Sequence, residues 1–211
     1  MIISGDATLY AIVRLSLASG RVLRATPAHR VFTGRGWRTI AEIGAGDRVA
    51  MARRMPQPAI TVEWSDEQIV LLGHMIGDGS YLSGQPMRYT TASEENSEAV
   101  RRSAESMGCT VGRHAGRGNW HQLVFAGNGD RWHPKAVNAW LRSLGIFGQR
   151  SHEKRVPADA FRLADDRIGL LLRHLWATDG SIHVRAAGQR GAARVYFATC
   201  SEGLARDVAA L

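Results

Sequence analysis

"LLGHMIGDGS", residues 71–80, is the stretch whose reading decides the rest of the chain. Ile69, Leu72 and Ile76 recur at helical spacing, and Gly79 stands where a helix C-cap glycine is expected. Asp78 then falls in the last turn, where the helix dipole disfavours a negative charge by roughly 0.3–1 kcal/mol. Upstream, "SDEQ" at Ser65–Gln68 is a capping box: the Ser hydroxyl accepts from the amide three residues on, and the Gln side chain reaches back. A plain Asp-Gly turn would account for Asp78, and so would a carboxylate kept there for chemistry.

The chain contains a second copy of this pattern. "LRHLWATDGS", Leu172–Ser181, is again a Leu-rich stretch ending in Asp-Gly-Ser, with Asp179 placed 101 residues after Asp78. "TASE" at Thr91–Glu94 follows the first copy and "TCSE" at Thr199–Glu202 the second, each leading into a helical pattern. Recurrence of the motif with its trailing elements implies a duplicated αββα-type unit. After "TCSE" the chain runs only to Leu211, so the second half is expected to lack its later strands and last helix, and the chain to be a fragment.

Elsewhere the pattern is mixed. "TLYAIVRLSL", "RVLRAT" and "RVFT" are short strand-like runs broken by "ASG" and "GRG" turns, and "WRTIAEIGAGDRVAMA" returns to an extended pattern. "RRMPQPAITVEW" breaks regular structure with two prolines and is the expected linker. Helices are expected over 96–107, stopped by Gly108, and over 134–144, opened by Pro134 and stopped by Gly145. Between them "CTVGRHAGRGNWHQLVFAG" alternates like two strands around a Gly-rich turn.

Of 27 basic residues only Lys135 and Lys154 are lysines, and the formal net charge is +8. The arginine excess favours a polyanionic partner, since Arg binds phosphate bidentately and reads guanine edges; arginine-rich codon usage would leave the same mark. Cys109 and Cys200 stand alone with no C-x-x-C spacing, which fits apolar positions in a reducing cytoplasm. No run approaches the length of a membrane span. H-N-H, GIY-YIG, zinc-spaced Cys/His and P-loop patterns are all absent.

Gly73 and Gly77, four residues apart on one face, would let a second helix approach closely. Helices side by side would bring Asp78 and Asp179 to the same end, where mutual repulsion calls for a cation. Mg²⁺ uses one or two carboxylates plus phosphate oxygens, which is the layout of metal-assisted phosphodiester hydrolysis.

"LLGHMIGDG" and "LRHLWATDG" resemble the paired motifs of LAGLIDADG homing endonucleases, whose motif helices form the interface between half-domains. The resemblance implies that Asp78 and Asp179 bind the catalytic divalent ions, Mg²⁺ or Mn²⁺. "HEKRVPADAF", residues 152–161, is similar to the K-x-I-P segment of intein-borne members, which implies a catalytic role for Lys154. The departures are His174 and Thr178, which stand where the second motif would carry small residues; either the helices splay there or the partner glycines compensate. A second-half lysine would lie beyond Leu211.

Thr26 and His29, spaced T-x-x-H, can aim a hydroxyl and an imidazole at one point for general acid–base chemistry on a peptide bond. "RVLRATPAHRVFTGRGWRTIAEIGAGDRVA" resembles the T-x-x-H block of inteins and the strand pair that follows it, which implies a splicing role for both residues. The nucleophile and the His-Asn pair of the splice junctions are not in this chain, so it is expected not to splice.

The resemblances together imply an α+β chain. Residues 1–56 would be the C-terminal part of an all-β Hint-type segment, 57–64 a linker, and 65–211 a LAGLIDADG endonuclease of duplicated αββαββα-type halves. The first half would span about 65–160 and the incomplete second half would begin near 165. The expected activity is metal-dependent double-strand cleavage of DNA by a monomeric, pseudo-symmetric enzyme, with host flanks (exteins) as partners in the full precursor and no membrane. Replicative helicases and other DNA-metabolism proteins are the expected hosts. Arg113, Arg117, Arg185, Arg190 and Arg194 are the expected DNA contacts, their other reading being solvated surface. The alternatives are a LAGLIDADG-fold DNA-binding module without cleavage and a degenerate splicing segment.

Overall fold

The change from short alternating runs to long helical periods after residue 64 is reproduced in three dimensions. A computed structural model describes residues 11–52, 56–185 and 192–211, and the chain divides into two units, 1–56 and 57–211. Arg190, one of the expected DNA contacts, lies outside the described residues.

The first unit is built from two hairpins. β1 (Val13–Ser16) pairs antiparallel with β2 (Val22–Ala25), and β3 (Arg30–Thr33) with β4 (Gly36–Thr39). The β3–β4 turn needs Gly36 at φ +88°, a left-handed conformation that a side chain would strain. Residues 48–50 return beside β3, with Gly34 N donating to Arg48 O and Ala50 N to Phe32 O. Val31 and Ile40 are buried, whereas Phe32 and Trp37 stay exposed in edge-to-face contact at 5.4 Å.

The second unit begins with α1 (Asp66–Gly77), capped by Ser65 and Gln68 as the sequence requires. It continues through β5 (Gly79–Ser80), β6 (Met87–Thr91), α2 (Glu94–Ser106), β7 (Thr110–Ala115), β8 (His121–Ala126) and α3 (Ala136–Ser143). α4 (Asp165–Asp179), β9 (Gly180–His183), β10 (Arg194–Phe197) and α5 (Glu202–Ala210) repeat the α1–α2 order, so the duplicated αββα unit is present. β5 to β8 form one antiparallel sheet in the order β5-β6-β8-β7. Every α1 residue from Ile69 to Ile76 is buried, because the helix is packed by α2 on one side and by α4 on another. Among the described residues no helix is long and apolar enough to cross a membrane.

Several details differ from the sequence reading. Gly79 is not a left-handed C-cap but a buried strand residue, and Asp78 itself is the C-cap. A Cβ on Gly79 would lie 2.5 Å from Met75 O, so close approach and not φ requires the glycine. α3 starts two residues after Pro134, because Lys135 N still donates to Asn128 O in the preceding loop. Residues 57–64 carry no regular element yet are docked: Val62 N donates to Arg162 O, and Trp64 meets Trp140 edge-on at 5.7 Å. Cys109 is buried as expected, but Cys200 is exposed.

The two halves differ in how their hairpins are covered. Tyr81, directly after β5, and Met87 on β6 are both buried in the core. Their counterparts Ile182 and Val195 on β9–β10 are 65% and 60% exposed.

Candidate functional site

α1 and α4 pack closely because α1 presents glycine where α4 presents bulk. A Cβ on Gly73 would sit 2.9 Å from His174 Cβ, and one on Gly77 would sit 1.9 Å from Thr178 Oγ1. The two departures in the second motif are therefore absorbed by the glycines of the first. Both helices then end together, with Asp78 as the C-cap of α1 and Asp179 as the last residue of α4.

The electrostatics of the two carboxylates are coupled. Surrounding protein, and after it the negative charge of Asp179, raise the Asp78 pKa above the ordinary carboxylate range, and Lys154 opposes the shift. Burial likewise raises the pKa of Asp179, again opposed by Lys154. A carboxylate beside a like charge at the negative end of a helix dipole is stabilised by a cation. Lys154 supplies one from within the chain.

Lys154 is buried, with its Nζ donating to Gly77 O at 2.6 Å, Gly79 O at 2.9 Å and Met75 O at 3.4 Å. It therefore caps the carbonyl end of α1 and lies 5.6 Å from the Tyr81 ring centre. Burial lowers its pKa, while Asp179 and Asp78 act to raise it. A cleft of about 470 Å³ opens here, lined by Gly77, Ser151, Lys154, Asp179, Thr199 and Cys200 among others.

A polar chain crosses the helix interface behind the carboxylates. His74 Nε2 and His174 Nδ1 are 3.1 Å apart, and His74 Nδ1 is 3.1 Å from the Tyr89 hydroxyl. Neutral imidazole can donate from one nitrogen and accept at the other, so both contacts form without a buried charge. Burial first, and then the charge on His174, lower the His74 pKa to about 4. Burial and then the charge of Asp78 raise the Tyr89 pKa. His74, His174 and Tyr89 carried no functional expectation. A histidine inside an otherwise apolar helix was the one signal for them in the sequence.

The expected arginines are not equivalent. Arg113 pairs with Leu123, a core residue, so alternation turns it to the helix-covered face of the sheet. There both of its terminal nitrogens meet the Glu94 carboxylate at 2.6 Å. Arg117 is exposed in the β7–β8 turn, and Arg194 is exposed with Nη1 3.5 Å from the Tyr196 hydroxyl. Arg185 is half-buried just beyond β9, outside the regular elements. The opposite face of the sheet carries Arg88, Thr90, Gln122 and His114, none of which the sequence singled out. Gln122 Nε2 donates to Thr90 Oγ1 at 3.1 Å across the strands.

In the first unit, Thr26–His29 is a turn closed by His29 N donating to Thr26 O at 3.0 Å, and the His29 ring is exposed. No hydrogen bond joins the two side chains among the described residues. A cavity of about 810 Å³ in this unit is bounded by β1 and residues 40–51 and has neither Thr26 nor His29 in its wall.

Residues 166–211 match the LAGLIDADG-like domain family. The replicative DNA helicase DnaB of Rhodothermus marinus is 39% identical over 207 residues, which is 95% of this chain and 22% of that protein. DnaB of a Synechocystis species is 34% identical over 196 residues, 91% of this chain and 22% of the relative. Protein RecA of Mycobacterium tuberculosis is 32% identical over 202 residues, 93% of this chain and 24% of the relative. The chain thus spans about a fifth to a quarter of the length of these curated relatives.

Proposed function

We propose that residues 57–211 are a LAGLIDADG-type DNA endonuclease, that residues 1–56 belong to a Hint-type splicing segment, and that the chain is part of an intein-borne homing element. The observation that carries this reading is the delivery of Asp78 and Asp179 to one end of a glycine-packed helix pair, beside the buried Lys154. A stretch of about 200 residues shared with proteins of two different names, DnaB and RecA, is the distribution expected of an inserted element. Replicative helicases are the hosts this reading favours.

The donor set fits a hard divalent cation. Among the described residues no third His, Cys, Asp or Glu joins the two carboxylates, so water and phosphate oxygens would complete the shell, as Mg²⁺ prefers. When bound, Mg²⁺ or Mn²⁺ supplies Lewis-acid activation of a phosphodiester and an acidified water. Asp78 and Asp179 hold the ion, and Lys154 fixes the end of α1 and places positive charge beside them. Duplex DNA lies along the open face of β5–β8, with Arg88, Gln122 and Arg117 reaching it and Arg185 and Arg194 contributing from the second half. Thr26 and His29 serve the splicing reaction of a longer precursor, whose flanks are the host protein.

The test is cleavage of a randomised duplex library by the purified chain with Mg²⁺. Cleavage lost in both Asp78→Asn and Asp179→Asn, with DNA binding retained, is the expected result. Binding without cleavage in the wild type would favour the DNA-binding module, and cleavage indifferent to both substitutions would overturn the metal assignment.

A further inference from the structure

The loop between β8 and α3, residues 127–135, is built with more care than a connector needs. Asn128 is buried, donating to Phe125 O at 3.2 Å and accepting from Asn138 N at 3.1 Å and from Cys109 Sγ at 3.2 Å. Gly129 takes φ +72°, and a Cβ there would lie 2.0 Å from His133 O. The Asp130 carboxylate accepts from Trp132 N and His133 N, both at 2.7 Å.

What this hydrogen-bonded loop presents is an indole in water. Trp132 is 76% exposed, with the Arg131 guanidinium 4.9 Å from its ring centre. An exposed indole forgoes the burial that makes tryptophan favourable in a fold. Arg131, His133 and Lys135 are exposed around it, and Arg142 lies nearby, stacked on Phe147 at 4.0 Å. Asp130 is the acid in the loop, and its carboxylate is turned to backbone amides, which lower its pKa.

Position gives the patch its meaning. Residues Ser83 to Gln85 of the β5–β6 turn share a cavity of about 200 Å³ with Asp130, Arg131 and Arg142. β5 starts next to Asp78 and runs toward this turn, so the loop marks the end of the sheet remote from the carboxylates. Five residue steps separate Thr90, level with Asp78 in the register, from Gln85 in the turn, which at about 3.4 Å each set a separation of roughly 17 Å. At about 3.4 Å per base pair, that is roughly five base pairs along a duplex.

We infer that the 127–135 loop is a second DNA-contacting element, which meets the duplex about five base pairs outward from the carboxylate pair. Arg131, Lys135 and Arg142 meet phosphates, and Trp132 packs on a deoxyribose face of the backbone between them. The inference rests on the proposed DNA-binding function and extends its footprint beyond the sheet.

The test uses the full chain and a 30-base-pair mixed-sequence duplex, read by fluorescence anisotropy and by tryptophan emission. Trp132→Ala and the double variant R131A/K135A are expected to weaken binding by about fivefold or more. DNA is expected to quench wild-type emission more than that of Trp132→Ala, with thermal unfolding unchanged. Both variants binding within about twofold of wild type, while Arg88→Ala binds more weakly, would overturn the loop's role and leave the proposed function standing. A wild-type chain that binds no duplex would overturn both.

Discussion

The rings of His74 and His174, from the two repeated halves, are hydrogen-bonded across the α1–α4 interface at 3.1 Å. The pair is not related by the internal repeat: His74 follows Gly73 in the first motif, and His174 takes the place of that glycine in the second. The contact therefore couples the halves in a way their duplication did not build.

Its consequence is a pH dependence. In the fold the His74 pKa is about 4 against 6.5 when free, so the unfolded chain binds more protons between those values. Stability is then fully present above about pH 6.5 and falls as pH drops toward 4, by on the order of 3 kcal/mol for this residue. Asp78 and Asp179, with raised pKa values, act in the opposite direction at low pH. Urea unfolding at pH 7.5 and pH 5 should show a smaller loss for His74→Gln than for wild type. Equal losses would show that the imidazole is not the titrating group.

Helix packing predicts opposite outcomes for two glycine substitutions. Gly77→Ala drives a Cβ into Thr178 and should destabilise by roughly 1–3 kcal/mol. Gly169→Ala, also in a helix but with nothing within 4 Å of the new Cβ, should stabilise by about 0.5–1 kcal/mol. Chemical denaturation of both variants decides it, and equal effects would mean that Gly77 is not a packing residue.

Lys154 is expected to matter before any chemistry. Its Nζ satisfies carbonyls of Met75, Gly77 and Gly79, so Lys154→Met should cost about 1.5–3 kcal/mol. Loss of its charge should also raise the pKa of Asp78 and Asp179 further, visible by carboxyl NMR titration. Unchanged stability would mean that the ammonium is not held by the helix end.

For DNA contact the two faces of the sheet predict a division of labour. Arg88→Ala, on the open face, should weaken duplex binding and reduce the slope of log K against log salt by about 0.9. Arg113→Ala should leave that slope unchanged, because its guanidinium is engaged by Glu94. A slope change for Arg113→Ala as large as that for Arg88→Ala would mean that the Glu94 pair opens to DNA.

Much of this architecture could be read one residue at a time. Ser65 and Gln68 cap α1, Gly145 ends the helical run before it, and the recurring Asp-Gly-Ser and T-x-S-E patterns locate the repeats, because capping and periodicity are local. The side of the sheet on which Arg113 falls was not legible. It depends on pairing with β8, and a register shift of one residue reverses every side chain. Cys200 was expected in an apolar place because isolated cysteines usually pack, yet the cleft beside Lys154 leaves it open.

The sequence by itself determined that two similar helices would each end in an acidic residue and that one would carry a glycine face. Those are consequences of 3.6-residue periodicity and of side-chain size. Tertiary structure decided what the pairing meets: Gly73 and Gly77 receive His174 and Thr178, and Lys154, 76 residues after Asp78, closes the carbonyl end of α1. The charge that Asp78 places at the wrong end of its own helix is thus opposed by a cation delivered from elsewhere in the chain, and no local pattern contains a distance of that kind.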